Sequence, residues 1–100
     1  MKQPSLMDSH AHIDGHEFAA DLDLLLARAK EAQVERIINV GADLESSHRS
    51  VALSGRHKNI FAAVGIHPHD AERVTPRCYE IIAELAQNSE KVVAIGEIGL

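Results

Sequence analysis

The sequence predicts an α/β fold of parallel β/α units, arranged as a small open sheet or as part of a barrel. Short β-branched runs alternate with amphipathic helical patterns about every thirty residues, the rhythm of strand–helix units. Three of the four apolar runs also end in polar residues able to do chemistry, at the sheet end where parallel α/β folds place their sites.

The first strand is expected over residues 5–9. Phe18, Leu22, Leu25, Leu26, Ala29 and Ala32 then recur at helical spacing, giving a helix over 18–33 with one face on the sheet. A second strand follows over 35–40. Gly41 makes the turn, and Asp43 as N-cap and Gly55 as C′ residue bracket a helix over 44–54 whose apolar stripe is weak. Residues 60–64 are apolar and β-branched enough for a central strand buried on both faces. Thr75 as N-cap and Pro76 at the first helical position start a third helix, with Cys78, Ile81, Ile82, Leu85 and Ala86 inward. The run 91–100 reads as a buried strand, its core at 92–95, that delivers Glu97 at its C-terminal end. No linker or low-complexity tract interrupts residues 1–100, which are read as one domain.

Composition narrows the function classes. One hundred residues bury about 60 to 70% of the surface that the unfolded chain exposes, enough for an independent core. The 45% apolar and 25% charged fractions are ordinary for a globular protein, and no window has the length of a membrane span. The opening Met1-Lys2-Gln3-Pro4-Ser5 leads into no apolar secretory run, so a cytoplasmic location and no membrane partner are expected. Cys78 is the single cysteine and falls on a helix's apolar stripe, the place of a small buried hydrophobe. Net charge is −5 without a Lys/Arg cluster, so the footprint of tight, sequence-independent nucleic-acid binding is absent. A phosphate ester would have to meet its positive charge on bound metal ions.

Chemistry concentrates at strand ends. His10 and His12 stand two apart where the first strand ends; alternation along a strand puts Asp8, His10 and His12 on one face, so both imidazoles can chelate one ion. Asp8 is a candidate to orient one ring. The competing reading is chance, since the chain holds seven His. Glu97 is a carboxylate able to join the pair, and Val64-Gly65-Ile66-His67-Pro68-His69 brings a third apolar run into a Gly and a His. For His67 a ring held by the backbone of its turn is the alternative to a site role. Asp14 is read as a turn residue making an Asx turn or, as the alternative, as a residue supporting the ligands from behind. His16, His48, His57 and His69 follow no ligand spacing and are read as exposed or capping; Lys91, Arg28, Lys30 and Glu31 are read as solvated charge.

Four motifs in order carry a family resemblance: Asp8-Ser9-His10-Ala11-His12-Ile13-Asp14, Ile38-Asn39-Val40-Gly41-Ala42-Asp43-Leu44-Glu45-Ser46-Ser47, Val64-Gly65-Ile66-His67-Pro68-His69, and Ala94-Ile95-Gly96-Glu97-Ile98-Gly99-Leu100. Together they resemble the TatD-type metal-dependent deoxyribonucleases of the amidohydrolase-like barrels. The resemblance implies the N-terminal half of a TIM-type (β/α)8 barrel and two divalent ions, whether Zn, Mg or Mn. His10 and His12 would bind one ion, Glu97 would be the catalytic carboxylate bridging both, and His67 would face the substrate phosphate. It further implies a metal-activated water attacking phosphorus in line, with DNA or another phosphodiester as partner and no stable protein partner. The family's other ligands, two His and an Asp, lie on later strands beyond Leu100. A complete barrel takes roughly 200 residues or more, so residues 1–100 are expected to form the N-terminal part of a single hydrolase barrel. Ala11 replaces a frequent Cys and Gln33 a frequent Gly, departures that touch packing rather than chemistry. Two alternatives stay open: a related metal hydrolase acting on amides or phosphomonoesters, and a catalytically incomplete half-barrel exposing sheet edges and apolar faces.

Overall fold

The computed structural model describes residues 4–67 and 74–98. Within them the order is β1 (Leu6–Ala11), α1 (Leu22–Glu31), β2 (Val34–Val40), α2 (Leu44–Arg56), β3 (Ile60–Ile66), α3 (Pro76–Asn88) and β4 (Val92–Ile98). All neighbouring strands are parallel, in the spatial order β1-β2-β3-β4. Each strand lies beside its predecessor, so crossovers of one hand all step the same way and lay their helices on one face. A doubly wound sheet needs a reversal of strand order, and none occurs here. The result is a curled half-barrel whose other face carries no helix among the described residues. There the paired Ile38 and Phe61 stay half-buried, whereas the Ile37–Ile60 pair on the helix side is buried.

The core sits between β2, β3 and the helices. Ile60, Ala62 and Val64 are wholly enclosed, as expected for the central strand. Ile13, Ile37, Leu53 and Ile60 form one cluster, against which α1 packs Leu22, Leu25, Leu26 and Ala29. Each fully buried Leu or Ile contributes about 1.5–3 kcal/mol. β4 departs from expectation. It is an edge, not a buried strand, with Val93, Ile95 and Ile98 half exposed; its apolar run faces partial cover by α3 rather than two packed layers.

Local boundaries also differ. α1 starts at Leu22, because His16–Phe18 close a separate 3-10 turn. Beyond α1, Gln33 adopts φ 70°, the left-handed region that glycine enters at no steric cost. Asp43 caps α2 as expected: its carboxylate accepts the Ser46 amide while the Ser46 hydroxyl accepts the Asp43 amide. α2 then continues through Gly55 to Arg56, placing Gly55 inside the last turn rather than at C′, and His57 is the C-cap. Thr75 precedes Pro76 at the start of α3, but its hydroxyl lies 3.4 Å from the Cys78 sulfur and caps no backbone amide. Cys78 is half-buried, and these contacts with Thr75 hold its thiol below the usual range.

Lys91 is not solvated charge. Its Nζ donates to the Ser54, His57 and Lys58 carbonyls, each at 3.1 Å, and lies 4.6 Å from the Phe61 ring centre. It thereby ties the start of β4 to the C-terminal end of α2.

Candidate metal centre

The segment that leaves β2 organises the site through three successive carbonyls. The Val40 oxygen lies 2.9 Å from His12 Nδ1, the Gly41 oxygen accepts the Glu97 amide at 3.1 Å, and the Ala42 oxygen accepts the His67 amide at 2.6 Å. One short stretch thus references three of the four residues read as site residues. Gly41 is required by contact: a Cβ there would overlap the Ser47 hydroxyl and lie 2.7 Å from Ser47 Cα. Gly65 admits the close approach of β4, since its Cβ would meet the Glu97 carbonyl oxygen and lie 2.7 Å from the Gly96 carbonyl carbon. Ser47, wholly buried, donates to and accepts from the Gly65 backbone at 3.1 Å each, locking α2 to that point of β3.

His10, His12 and Glu97 converge, as their positions at strand ends predict. His10 Nε2 and His12 Nε2 are 3.1 Å apart with their rings in a T-shaped arrangement, and the nitrogens lie 3.9 and 3.8 Å from the two Glu97 carboxylate oxygens. One ligand atom from each residue lies within 4.8 Å of the others. Strict strand alternation does not produce this. β1 shifts register between Asp8 and Ala11 and ends before His12. The pair meets where the regular ladder has been lost, with the His12 ring drawn to the Val40 carbonyl. Asp8 orients no ring: its carboxylate accepts the His10 backbone amide at 3.0 Å, bracing the irregular stretch.

The donor set suits a divalent ion. A carbonyl only accepts, so His12 must carry its proton on Nδ1, which leaves the Nε2 lone pair directed into the site. Two imidazole nitrogens at 3.1 Å need a proton or a cation between them. Nitrogens on one ion, each about 2.0–2.1 Å from it, stand roughly 2.9–3.4 Å apart at octahedral to tetrahedral angles and at most about 4.1 Å apart. The His–His distance falls in the octahedral-to-tetrahedral range, while the His–Glu distances, each to a different carboxylate oxygen, stand near the upper bound, so the pair is preset for one ion and Glu97 closes on it by a small rotation. His67 belongs to the same rim, with Nε2 3.8 Å from Glu97 Oε1.

Several supporting residues had no place in the sequence reading. Asn39, wholly buried, accepts the Ile13 amide at 2.7 Å and donates to Asp14 at 3.0 Å. Asp14 therefore makes a paired ionic contact rather than an Asx turn: its other oxygen takes Arg49 Nε at 2.9 Å, and Arg49 reaches Glu45 at 2.9 Å. The Asp14 carboxylate holds the Arg49 guanidinium more firmly charged than usual, and the Ser46 amide keeps Asp43 below the usual carboxylate range. The signals for these contacts were an Asn inside an apolar run and Ser46, Ser47, Ser50 and Ser54 at helical spacing. His16 and His48 are exposed and His57 caps α2, remote from the site, whereas His69 lies outside the described residues.

Comparison with known proteins adds the wider context. A family model described as TatD related DNase matches residues 7–100. The chain is 42% identical over 95 residues to an uncharacterized metal-dependent hydrolase, YabD, of Bacillus subtilis, covering 95% of this chain and 37% of that protein. It is 38% identical over 95 residues to the 3'-5' ssDNA/RNA exonuclease TatD of Enterobacter lignolyticus, covering 95% of this chain and 36% of that one. The crystal structure of YJJV, a TatD homolog from Escherichia coli, superposes with a TM-score of 0.84 at 35% identity, over 94% of this chain and 37% of that one. The chain thus spans little more than a third of the length of these relatives. No described helix is long and apolar enough to cross a membrane.

Proposed function

The chain belongs to the TatD related DNase family, and from that premise we propose that it supplies the first-strand and fourth-strand ligands of a metal-dependent phosphodiesterase acting on nucleic acid. The observation that carries this reading is the convergence of His10, His12 and Glu97, with the His12 tautomer set by the Val40 carbonyl.

In this reading His10 and His12 would hold a divalent ion through their Nε2 atoms, and Glu97 would be the carboxylate that completes the metal-binding group. Divalent ions so held supply a water of lowered pKa and positive charge toward the reacting phosphorus. The chain's own groups do the rest. The Gly41 and Ala42 carbonyls fix the backbone of Glu97 and His67, so the points from which carboxylate and imidazole project are set before substrate arrives. His67, on the same rim as Glu97, contacts the phosphate being attacked. With a net charge of −5, attraction for a polyanion rests on the bound ions rather than on a basic surface. The exonuclease name carried by one relative favours nucleic acid; the broader hydrolase name carried by another leaves amides and phosphomonoesters as the contrast.

The test is substrate profiling of a complete form of the protein, one that carries the family's later ligands, reconstituted separately with Zn, Mg and Mn. Release of nucleotides from the end of a labelled single-stranded DNA, abolished by chelation and by His10→Ala, is the expected result. Turnover confined to amide or phosphomonoester substrates would replace the nuclease reading, and turnover indifferent to chelation would refute the metal centre.

A further inference from the structure

We propose that Asn39 is a positioning residue for His12, acting through the buried Ile13–Asn39–Asp14–Arg49 chain of contacts; the inference rests on the metal reading of His10 and His12. Asn39 sits in β2 between Ile38 and Val40, at a place where a side-chain amide is costly unless both of its ends are bonded. Both are. Its Oδ1 accepts the Ile13 amide at 2.7 Å and its Nδ2 donates to Asp14 Oδ1 at 3.0 Å, so one side chain pins the two residues that follow His12. The next residue of β2, Val40, accepts from the His12 ring itself. Backbone and ring of His12 are therefore referenced to adjacent positions on one strand, which fixes where Nε2 points.

The far end of the chain of contacts is closed as well. The Asp14 side chain is only 8% exposed and is held by Arg49 Nε at 2.9 Å, while Arg49 is anchored to α2 beside Glu45. An apolar residue at 39 would fill the same space without anchoring Ile13 or Asp14. A ligand imidazole must be held to within about 0.5 Å of its productive place, so the purpose of a buried polar chain here is aim rather than cohesion.

Zinc titration of the whole chain, with 15N spectra of its imidazoles in the metal-free state, decides the matter. In the wild type His12 reads as the Nδ1–H tautomer. Asn39→Ala weakens zinc binding by about 10- to 100-fold, the usual effect of removing a partner behind a ligand, and leaves His12 averaging between tautomers. Arg49→Ala has the same effect in smaller degree, and Arg49→Lys restores most of it. Ser50→Ala removes a hydrogen bond to the Asn39 carbonyl but not to its side chain; it lowers the melting temperature and leaves zinc affinity unchanged. A folded Asn39→Ala protein with wild-type affinity and tautomer overturns the proposal. Should Asn39→Ala not fold, Asp14→Asn and Arg49→Ala decide in the same way. Should the wild type take up no zinc, the metal reading fails, and the positioning claim stands or falls on the His12 tautomer alone.

Discussion

Gly65→Ala is the sharpest perturbation of the contact between β3 and β4. The new carbon would lie 2.7 Å from the Gly96 carbonyl carbon and 2.9 Å from its oxygen, and nearer still to the Glu97 carbonyl oxygen. All three are backbone atoms, and ordinary contact begins at 3.4 Å, so the nearest of them, the Glu97 oxygen, forces the strands to part by about 1 Å. Overpacking of this kind costs about 1–3 kcal/mol. At about 4–8 °C per kcal/mol for a domain of this size, the melting temperature should fall by roughly 5–20 °C. The same displacement draws Glu97 away from His10 and His12, where its oxygens already stand at 3.9 and 3.8 Å. Zinc affinity should therefore fall about tenfold or more, toward that of the imidazole pair alone. Thermal melts with zinc titrations read both effects. Gly55→Ala is the control: it has open space around it within α2 and should gain about 0.5–1 kcal/mol with binding unchanged. A Gly65→Ala protein that melts and binds zinc like the wild type would refute the reasoning.

Other expectations follow from single contacts. Gln33→Gly relieves a side chain at φ 70° and should raise the urea midpoint by the equivalent of about 0.5–1 kcal/mol; a lower midpoint would contradict the backbone assignment. Asp43→Ala removes the α2 cap at a cost of about 1 kcal/mol in urea unfolding at neutral pH. Because folding lowers the Asp43 pKa, its ionic contribution is full above the unfolded value of about 3.9 and is lost as pH falls through the folded value; the gap between wild type and variant should shrink in acid. Lys91→Met leaves three carbonyls without their shared cation and should destabilise by about 2 kcal/mol, with zinc affinity retained. His10→Ala and Glu97→Ala should each abolish metal-dependent hydrolysis in any complete form of the protein, whereas His57→Ala, at the far end of the sheet, should leave it nearly unchanged.

The parts of the fold that could be read in advance were those with one governing force. β3 is apolar on both faces, with Ile60, Val64 and Ile66 on one and Phe61 and Ala63 on the other, and burial decides it. β4 carries the same pattern but sits at an edge, and nothing in an apolar run distinguishes one layer of cover from two. The weak stripe of α2 had a different cause: Ser47 and Ser50 replace apolar packing with hydrogen bonds to Gly65 and Asn39, so an amphipathicity count undervalues a helix that is firmly docked. The convergence of His10, His12 and Glu97 was legible because few residue types do metal chemistry and all three fall at or just past strand ends. The Val40 carbonyl was not, since every residue has one and only the fold selects which one meets the His12 ring. Lys91 was misread as solvated charge, and for Asp14 the turn was preferred over a supporting role, for a related reason. The partners of a charged side chain are long-range, and only the structure supplies three carbonyls at the end of α2 for Lys91 and Asn39 with Arg49 for Asp14.

X-ray absorption on the zinc-loaded 100-residue chain tests the metal centre most directly. Two imidazole nitrogens at about 2.0–2.1 Å with carboxylate oxygen in the same shell, and loss of that signature in His10→Ala, are the predicted result. Failure to take up zinc, or a coordination shell without imidazole, would contradict it.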